Sequence, residues 1–208
     1  MTLGALLFRL KSTLIVFHAG EICKANFYDR SEVVRAANEM VGHGVVLCPH
    51  CYAMLKVHGS YPRHYRDENG VRHYGWCAQC HCEACEKYPA LLPDFLMPHK
   101  HYKAEVIEAV IADSEAGVNL ESIGDCAADI STMRRWIRQF KVRGEQAVGW
   151  LISVLLTVYE LHIGLVKLRG RTLLKQLARL LREYPVPEND GVIGRANIIL
   201  TTQNCGFL

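Results

Sequence analysis

The stretch WCAQCHCEAC, Trp76 to Cys85, holds two Cys-x-x-Cys pairs, and upstream one further pair, CPHC, stands at Cys48 and Cys51. A Cys-x-x-Cys turn presents two thiolates from one tight loop. Two such knuckles facing each other make a closed tetrahedral site of soft ligands, which suits Zn2+ and leaves no open position for a substrate. The expected chemistry is therefore structural metal binding. Pro49 stiffens the first knuckle. For the second, spacing alone admits either Cys77 with Cys80 or Cys82 with Cys85. The continuation CEACEKYPALLP, a small polar turn that returns to apolar residues, favours the latter. The expected ligands are thus Cys48, Cys51, Cys82 and Cys85. Cys77 and Cys80 then act as small apolar side chains on the incoming strand. A second metal on Cys77 and Cys80 with His81, His73 or His58 is the sharper alternative, although these histidines have no recognised ligand spacing. A redox pair would need a strand feeding directly into a helix, which the sequence does not provide.

A second stretch carries a different chemistry. Between Lys103 and Asp129 acids dominate, whereas STMRRWIRQFKVR holds Arg134, Arg135, Arg138, Lys141 and Arg143 with no acid. Helical spacing puts Met133, Trp136, Ile137 and Phe140 on a face packed against other helices. The short turn before it matches a helix-turn-helix, whose last helix enters the major groove of DNA. In that arrangement Ser131, Thr132 and Arg135 face base edges, and Arg134, Arg138, Lys141 and Arg143 face phosphates. A solvated cationic face is the plainer alternative; the Ser-Thr start and the lack of acids favour DNA. A further cationic run, Lys167 to Arg182, reads as an amphipathic helix packed on the core.

These residues need elements to hold them. The chain has 208 residues, half of them apolar, and a formal charge of +3. That is enough to bury a core, while so small a charge identifies no partner by itself. TLIVFHAG reads as a strand, and YDRSEVVRAANEMVG as a helix capped at Asp29 or Ser31. The Asn69-Gly70 pair reads as a hairpin turn, and ALLPDFLMPHKHY as a linker that packs through Leu92, Phe95 and Leu96. HYKAEVIEAVIADSEAG reads as a helix ending at Gly117, followed by a short helix from Asn119 and a third helix capped by Asp129 and stopped at Gly144. Further helices are expected over 145–161 and 170–184, and the tail GVIGRANIILTTQNCGFL as a strand or extended segment. The fold class expected is mainly α with a small β zinc ribbon. It divides into an N-terminal strand and helix (1–44), a zinc ribbon with a proline-rich linker (45–98), a helix-turn-helix (99–144) and a helical C-terminal region with tail (145–208).

Nine cysteines would fit a secreted disulfide framework, but Arg9 and Lys11 interrupt the N-terminal apolar runs and no cleavage site follows them. Reduced thiols in the cytoplasm are the expectation. The segment 147–166 approaches the ~20 residues that span a bilayer, yet Glu160 and His162 lie within it, so a core helix or dimer interface is expected instead.

Together, CPHC, HGSYPR, CEACEKYPALLPDFLMPHKHY, STMRRWIRQF and IGRAN resemble a bacterial family of uncharacterised, transposase-like proteins with a zinc ribbon followed by a helix-turn-helix. The resemblance runs from about Leu14 onward and is most specific over LLPDFLMP. It implies Cys48, Cys51, Cys82 and Cys85 as the ligands and a link to DNA or mobile elements. The sequence departs from the family at Ala127-Ala128, where a glycine-containing turn is typical, and in the extra pair Cys77 and Cys80.

Downstream of Gly144 the acids are scattered over helical sequence, so the paired carboxylates of two-metal phosphoryl transfer are not expected there. No phosphate-cradling glycine loop or nucleophile elbow occurs. The expectation is a non-catalytic, Zn2+-dependent protein that binds double-stranded DNA. It would act as a homodimer or with another transposition protein, without a small-molecule substrate or a membrane. The alternative is a zinc ribbon that docks a protein partner.

Overall fold

The computed structural model describes residues 14–17, 27–43, 46–93, 95–124, 126–157, 168, 171–183 and 191–202. Its elements are β1 (Leu14–Phe17), α1 (Arg30–Gly42), β2 (Lys56–Arg66), β3 (Arg72–His81), β4 (Ala90–Pro93), α2 (Ala104–Glu115), a 3-10 turn (Leu120–Ser122), α3 (Ile130–Thr157), α4 (Leu173–Leu181) and α5 (Val192–Thr202). The strands form one sheet in the order β1-β4-β3-β2. β3 runs antiparallel to both of its neighbours, β2 and β4, and β1 joins β4 in parallel. The architecture is mixed α/β, with a mainly helical C-terminal part.

The β2–β3 hairpin turns where Asn69-Gly70 predicts it. Gly70 takes φ 75°, a left-handed conformation that costs glycine little. Asp67 holds the turn, accepting the backbone N–H groups of Asn69 at 3.0 Å and Val71 at 2.9 Å and facing His73 Nε2 at 2.8 Å. The His73 hydrogen bond, then the two backbone donors, keep the Asp67 carboxyl below its ordinary range against the opposing effect of burial. A depressed carboxyl stabilises the fold above its unfolded pKa of about 3.9, and that contribution is lost as pH falls through the lower folded value. Asp67→Asn should therefore lower the melting temperature at pH 7, with the gap to wild type closing below about pH 4 in a series of thermal melts.

Three apolar clusters form the core among the described residues, two on the sheet and one among the helices. At the sheet end, Ala37 and Val41 of α1 pack with Val46, Leu55, Ala78 and Leu91 around the buried sulfurs of Cys48, Cys80 and Cys82. The other face centres on Phe27, Tyr65, Cys77, Leu92 and Leu96. The helical core gathers Ile107, Val110 and Ile111 of α2, Met133, Trp136, Phe140, Leu151 and Leu155 of α3, Leu177 and Leu180 of α4, and Ile193, Ala196 and Leu200 of α5.

The caps largely follow the sequence. Asp29 caps α1 through the N–H groups of Ser31 and Glu32. α2 ends in a Schellman turn, with Gly117 at φ 84° and the Val118 N–H reaching Asp113 O at 3.0 Å.

Four expectations require correction. The 90–93 part of the supposed linker is strand β4, because Ala90, Leu91, Leu92 and Pro93 are all buried between β1 and β3. The helix expected at Asn119 is only a 3-10 turn. α3 does not stop at Gly144: that residue is buried within the helix, where its missing side chain lets Leu173 of α4 approach to 3.3 Å of an added Cβ. The expected helix over 145–161 is thus the continuation of α3 as far as Thr157, and 158–161 lie outside the described residues. Finally, the tail is helix α5, with Ile193, Ala196 and Leu200 at helical spacing in the core and the Ile193 N–H held at 2.9 Å by the Glu108 carboxylate.

Ala147, Val148, Leu151, Val154 and Leu155 are buried in the helical core, which is the core use foreseen for the first part of 147–166; 158–166 lie outside the described residues. No helix among the described residues is long and apolar enough to cross a membrane.

Candidate metal centre and basic helix

The first knuckle lies in the loop before β2 and the second directly after β3, so the hairpin brings together cysteines more than thirty positions apart. The two turns share one construction. The Cys48 N–H donates to Ala53 O and the Cys82 N–H to Lys87 O, each at 2.9 Å. In each, the residue after the second cysteine adopts a left-handed conformation, Tyr52 at φ 60° and Glu86 at φ 53°. Such a conformation costs a side-chain-bearing residue roughly 1–2 kcal/mol, so both turns must be held by what they enclose.

What they enclose is a set of sulfurs. The Sγ atoms of Cys48, Cys51, Cys82 and Cys85 all lie within 4.8 Å of one another. Cys48 Sγ is 3.5 Å from Cys85 Sγ and Cys51 Sγ is 3.4 Å from Cys82 Sγ. A disulfide would need about 2.05 Å. Sulfurs each about 2.3 Å from a central tetrahedral ion sit roughly 3.8 Å apart, close to the observed spacing. The cluster can therefore hold a metal ion such as zinc. Among the described residues it is the one group of histidine, cysteine and carboxylate side chains gathered closely enough to do so.

The protons of the free thiols are unevenly shared. Burial pushes Cys82 up, but hydrogen bonds from Cys51 and from the Cys85 backbone outweigh it and bring the thiol down to about 7. Burial, then the hydrogen bonds with Cys48 and Cys82, push Cys85 up to about 12. The His50 N–H points at Cys48 Sγ at 3.4 Å, a donor suited to a thiolate. A cation must displace the remaining protons, so metal affinity falls with acid.

Cys77 and Cys80 lie outside the cluster, on β3. Both are buried, and burial pushes each thiol up to about 11, which favours the neutral, apolar form. The histidines considered as partners for them are otherwise engaged. His73 pairs with Asp67, while His81 stacks on Tyr88 at 4.5 Å and His58 meets the same ring edge-on at 5.2 Å.

α3 begins at a strong cap. The Asp129 carboxylate accepts the Thr132 N–H and hydroxyl at 2.9 Å each and the Ser131 hydroxyl at 2.5 Å. These bonds, Ser131 first, bring the Asp129 carboxyl down to about 2. Ser131 and Thr132, expected at base edges, thus spend their hydroxyl protons on the cap. Arg134, Arg135, Arg138, Lys141 and Arg143 are all exposed, while Met133, Trp136 and Phe140 are buried and Ile137 half-buried. Arg134, Arg138 and Lys141 fall at i, i+4 and i+7, one stripe along the solvent side.

The sequence reading missed the groups beside this helix. His64 and Arg66 of β2 and Lys100 and His101 of the loop between β4 and α2 line one cleft with Thr132 and Arg135. Alternating basic and aromatic residues in RHYR and PHKHY were the available signal, but only the pairing of the loop with the end of β2 joins the two.

A family model described as a domain of unknown function (DUF6431) matches residues 48–136, from the first knuckle cysteine into α3. No curated protein and no solved structure matches the chain.

Proposed function

We propose that this protein binds double-stranded DNA through α3, with zinc at the four cysteines stapling the sheet that supports it. The observation that carries the reading is the exposed cationic stripe of α3, Arg134, Arg138 and Lys141, flanked by Arg135 and Arg143 without an acid between residues 131 and 144. Duplex DNA presents one negative charge per ~1.7 Å of axis, and a helix offering cations at successive turns can neutralise several phosphates at once. Zinc is the ion that four thiolates at tetrahedral spacing favour, and it supplies structural stability rather than chemistry on a substrate. The resemblance to transposase-like proteins gives such a binder a setting, as the recognition part of a transposition system or a regulator related to one.

The test is fluorescence anisotropy with a labelled duplex. Arg134→Ala with Arg135→Ala should weaken binding at least tenfold at 0.1 M salt, the loss expected when a base-edge contact worth about 1–3 kcal/mol goes together with a phosphate contact. Unchanged affinity would remove α3 from the interface and leave the ribbon as a protein-docking module.

A further inference from the structure

The cleft beside the first turns of α3 is a built feature. Its loop wall is fastened to the end of β2: the Arg66 N–H donates to His101 O at 2.7 Å, and the Lys103 N–H to Arg66 O at 3.1 Å. Arg63 Nη2 donates to Met97 O at 2.8 Å and Lys100 O at 3.0 Å. These bonds hold the His64 and His101 rings face to face, 4.6 Å apart and within 3° of parallel. Arg66 lies over the Tyr102 ring, which in turn packs edge-on against the buried Trp136 of α3. Lys100 is half-buried and donates through Nζ to Gln139 Oε1 on α3.

The space so enclosed is about 240 Å³. Around it stand Arg66, Lys100, Arg135, His64 and His101, with Asp129 as the one carboxylate, already saturated by its capping bonds. Among the described residues no carboxylate lies within ion-pair distance of Arg66, Lys100, His101 or Arg135. The mutual repulsion is visible in the titrating groups. Burial, then His101, Arg72, Arg63 and Arg66, hold the His64 imidazole below its ordinary value. Burial, then Arg135 and Arg143, bring Lys100 down to about 8. Cations gathered from three elements against the single charge of Asp129, which is turned to its capping donors, leave an excess of positive charge that favours an anion.

We propose that this cleft is a phosphate-binding site, formed jointly by the end of β2, the 99–102 loop and the start of α3. Resting on the DNA-binding reading above, the group it takes is a backbone phosphodiester of the duplex whose neighbouring phosphates lie along Arg134, Arg138 and Lys141. The cleft thereby fixes the depth and register of α3 on the DNA, a positioning that the helix's long, mobile cations cannot supply alone. Entry of the anion favours protonation of His64, against His101, Arg63, Arg66, Arg72 and Lys100 on the surrounding elements. Tyr74 lies on β3 beside His64, and His99, Tyr102, Asp129 and Arg135 are the further ionisable groups lining the cleft. Binding therefore takes up a proton and tightens as pH falls.

The experiment follows duplex affinity at pH 7.5 and pH 6.0 for the full chain, for His64→Gln with His101→Gln, and for Arg138→Ala with Lys141→Ala. Imidazole NMR resonances are recorded in parallel. Wild type should bind on the order of fivefold more tightly at pH 6.0. The histidine variant should lose that pH response, and the arginine-lysine variant should bind less tightly yet keep it. Equal pH responses in all three, or histidine resonances unmoved by both duplex and inorganic phosphate, would overturn the cleft. Should the duplex not bind at all, the DNA reading fails by itself. Inorganic phosphate then decides the cleft, shifted His64 and His101 resonances upholding it and unshifted ones ending it. Lys100→Met, which removes a cleft cation without touching the hairpin, is the second variant if the histidine pair perturbs folding; it should weaken binding of both probes.

Discussion

Cys82→Ser with Cys85→Ser should leave a protein that retains no metal through gel filtration and whose sheet end is unfolded at room temperature. Cys77→Ser with Cys80→Ser should keep one ion per chain. The contrast follows from where the sulfurs lie. Cys82 and Cys85 supply half of a cluster whose members sit within 4.8 Å of one another. Structural zinc on four thiolates contributes an apparent ~10–16 kcal/mol at neutral pH, as much as the entire stability of a typical domain. Ala37, Val41, Leu55 and Leu91 form only a small apolar cluster around it, too little to hold two left-handed turns together. The other pair is buried in apolar surroundings without joining the cluster. Serine there places two hydroxyls where water does not reach, a penalty of about 1–3 kcal/mol each, which lowers the melting temperature but leaves the site. Elemental analysis with circular dichroism on both double variants checks the contrast. Metal lost from the second and kept by the first would reassign the ligands.

Gly75→Ala should destabilise the hairpin more than any other single added methyl on the sheet. A Cβ at Gly75 would stand 1.8 Å from Phe27 Cε1 and 2.1 Å from Cδ1. The ring cannot swing clear, since Phe27 is buried and boxed by the rings of Tyr28 at 5.6 Å, Tyr65 at 6.0 Å and Phe95 at 5.4 Å. The Trp76 N–H also ties the Phe27 carbonyl to β3 at 2.9 Å, so the backbone cannot retreat either. Overpacking of this kind costs about 1–3 kcal/mol and more where neither partner can move. Gly59→Ala is the control, with nothing within 4 Å of the added carbon. Urea denaturation should show the Gly59 variant near wild type and the Gly75 variant well below it. Phe27→Ala with Gly75→Ala should be less unstable than the sum of the single changes, because removing the ring relieves the clash and the added methyl fills part of the cavity the ring leaves.

The gathering of Cys48, Cys51, Cys82 and Cys85 was legible because cysteine pairs at fixed spacing carry their geometry with them, whatever the surrounding fold. So were the Asp29 and Asp129 caps, the Asn69-Gly70 turn and the buried face of Met133, Trp136 and Phe140, all set by residues within a turn of one another. What escaped depended on distant partners. Ala90–Pro93 looked like a linker because proline ends it; only β1 and β3 on either side make it a strand. Gly144 looked like a stop because helix propensity disfavours glycine, and its reason for being in the helix is Leu173 on another one. The tail looked extended because Ile and Thr favour strands, yet packing against α2, α3 and α4 overrides that preference. The His64–His101 stack was beyond local reading, since the two residues meet only when the loop docks on β2.

The most direct test of the account is the salt dependence of duplex binding by the zinc-loaded protein. If α3 and the adjoining cleft lie on the phosphate backbone, log K falls linearly with log salt with a slope of about −4 or steeper, since each neutralised phosphate contributes about −0.9. Arg134→Ala, Arg138→Ala and Lys141→Ala combined should then flatten the slope by about 3. A duplex that does not bind at 50 mM salt, or a slope that the triple variant leaves unchanged, would contradict it.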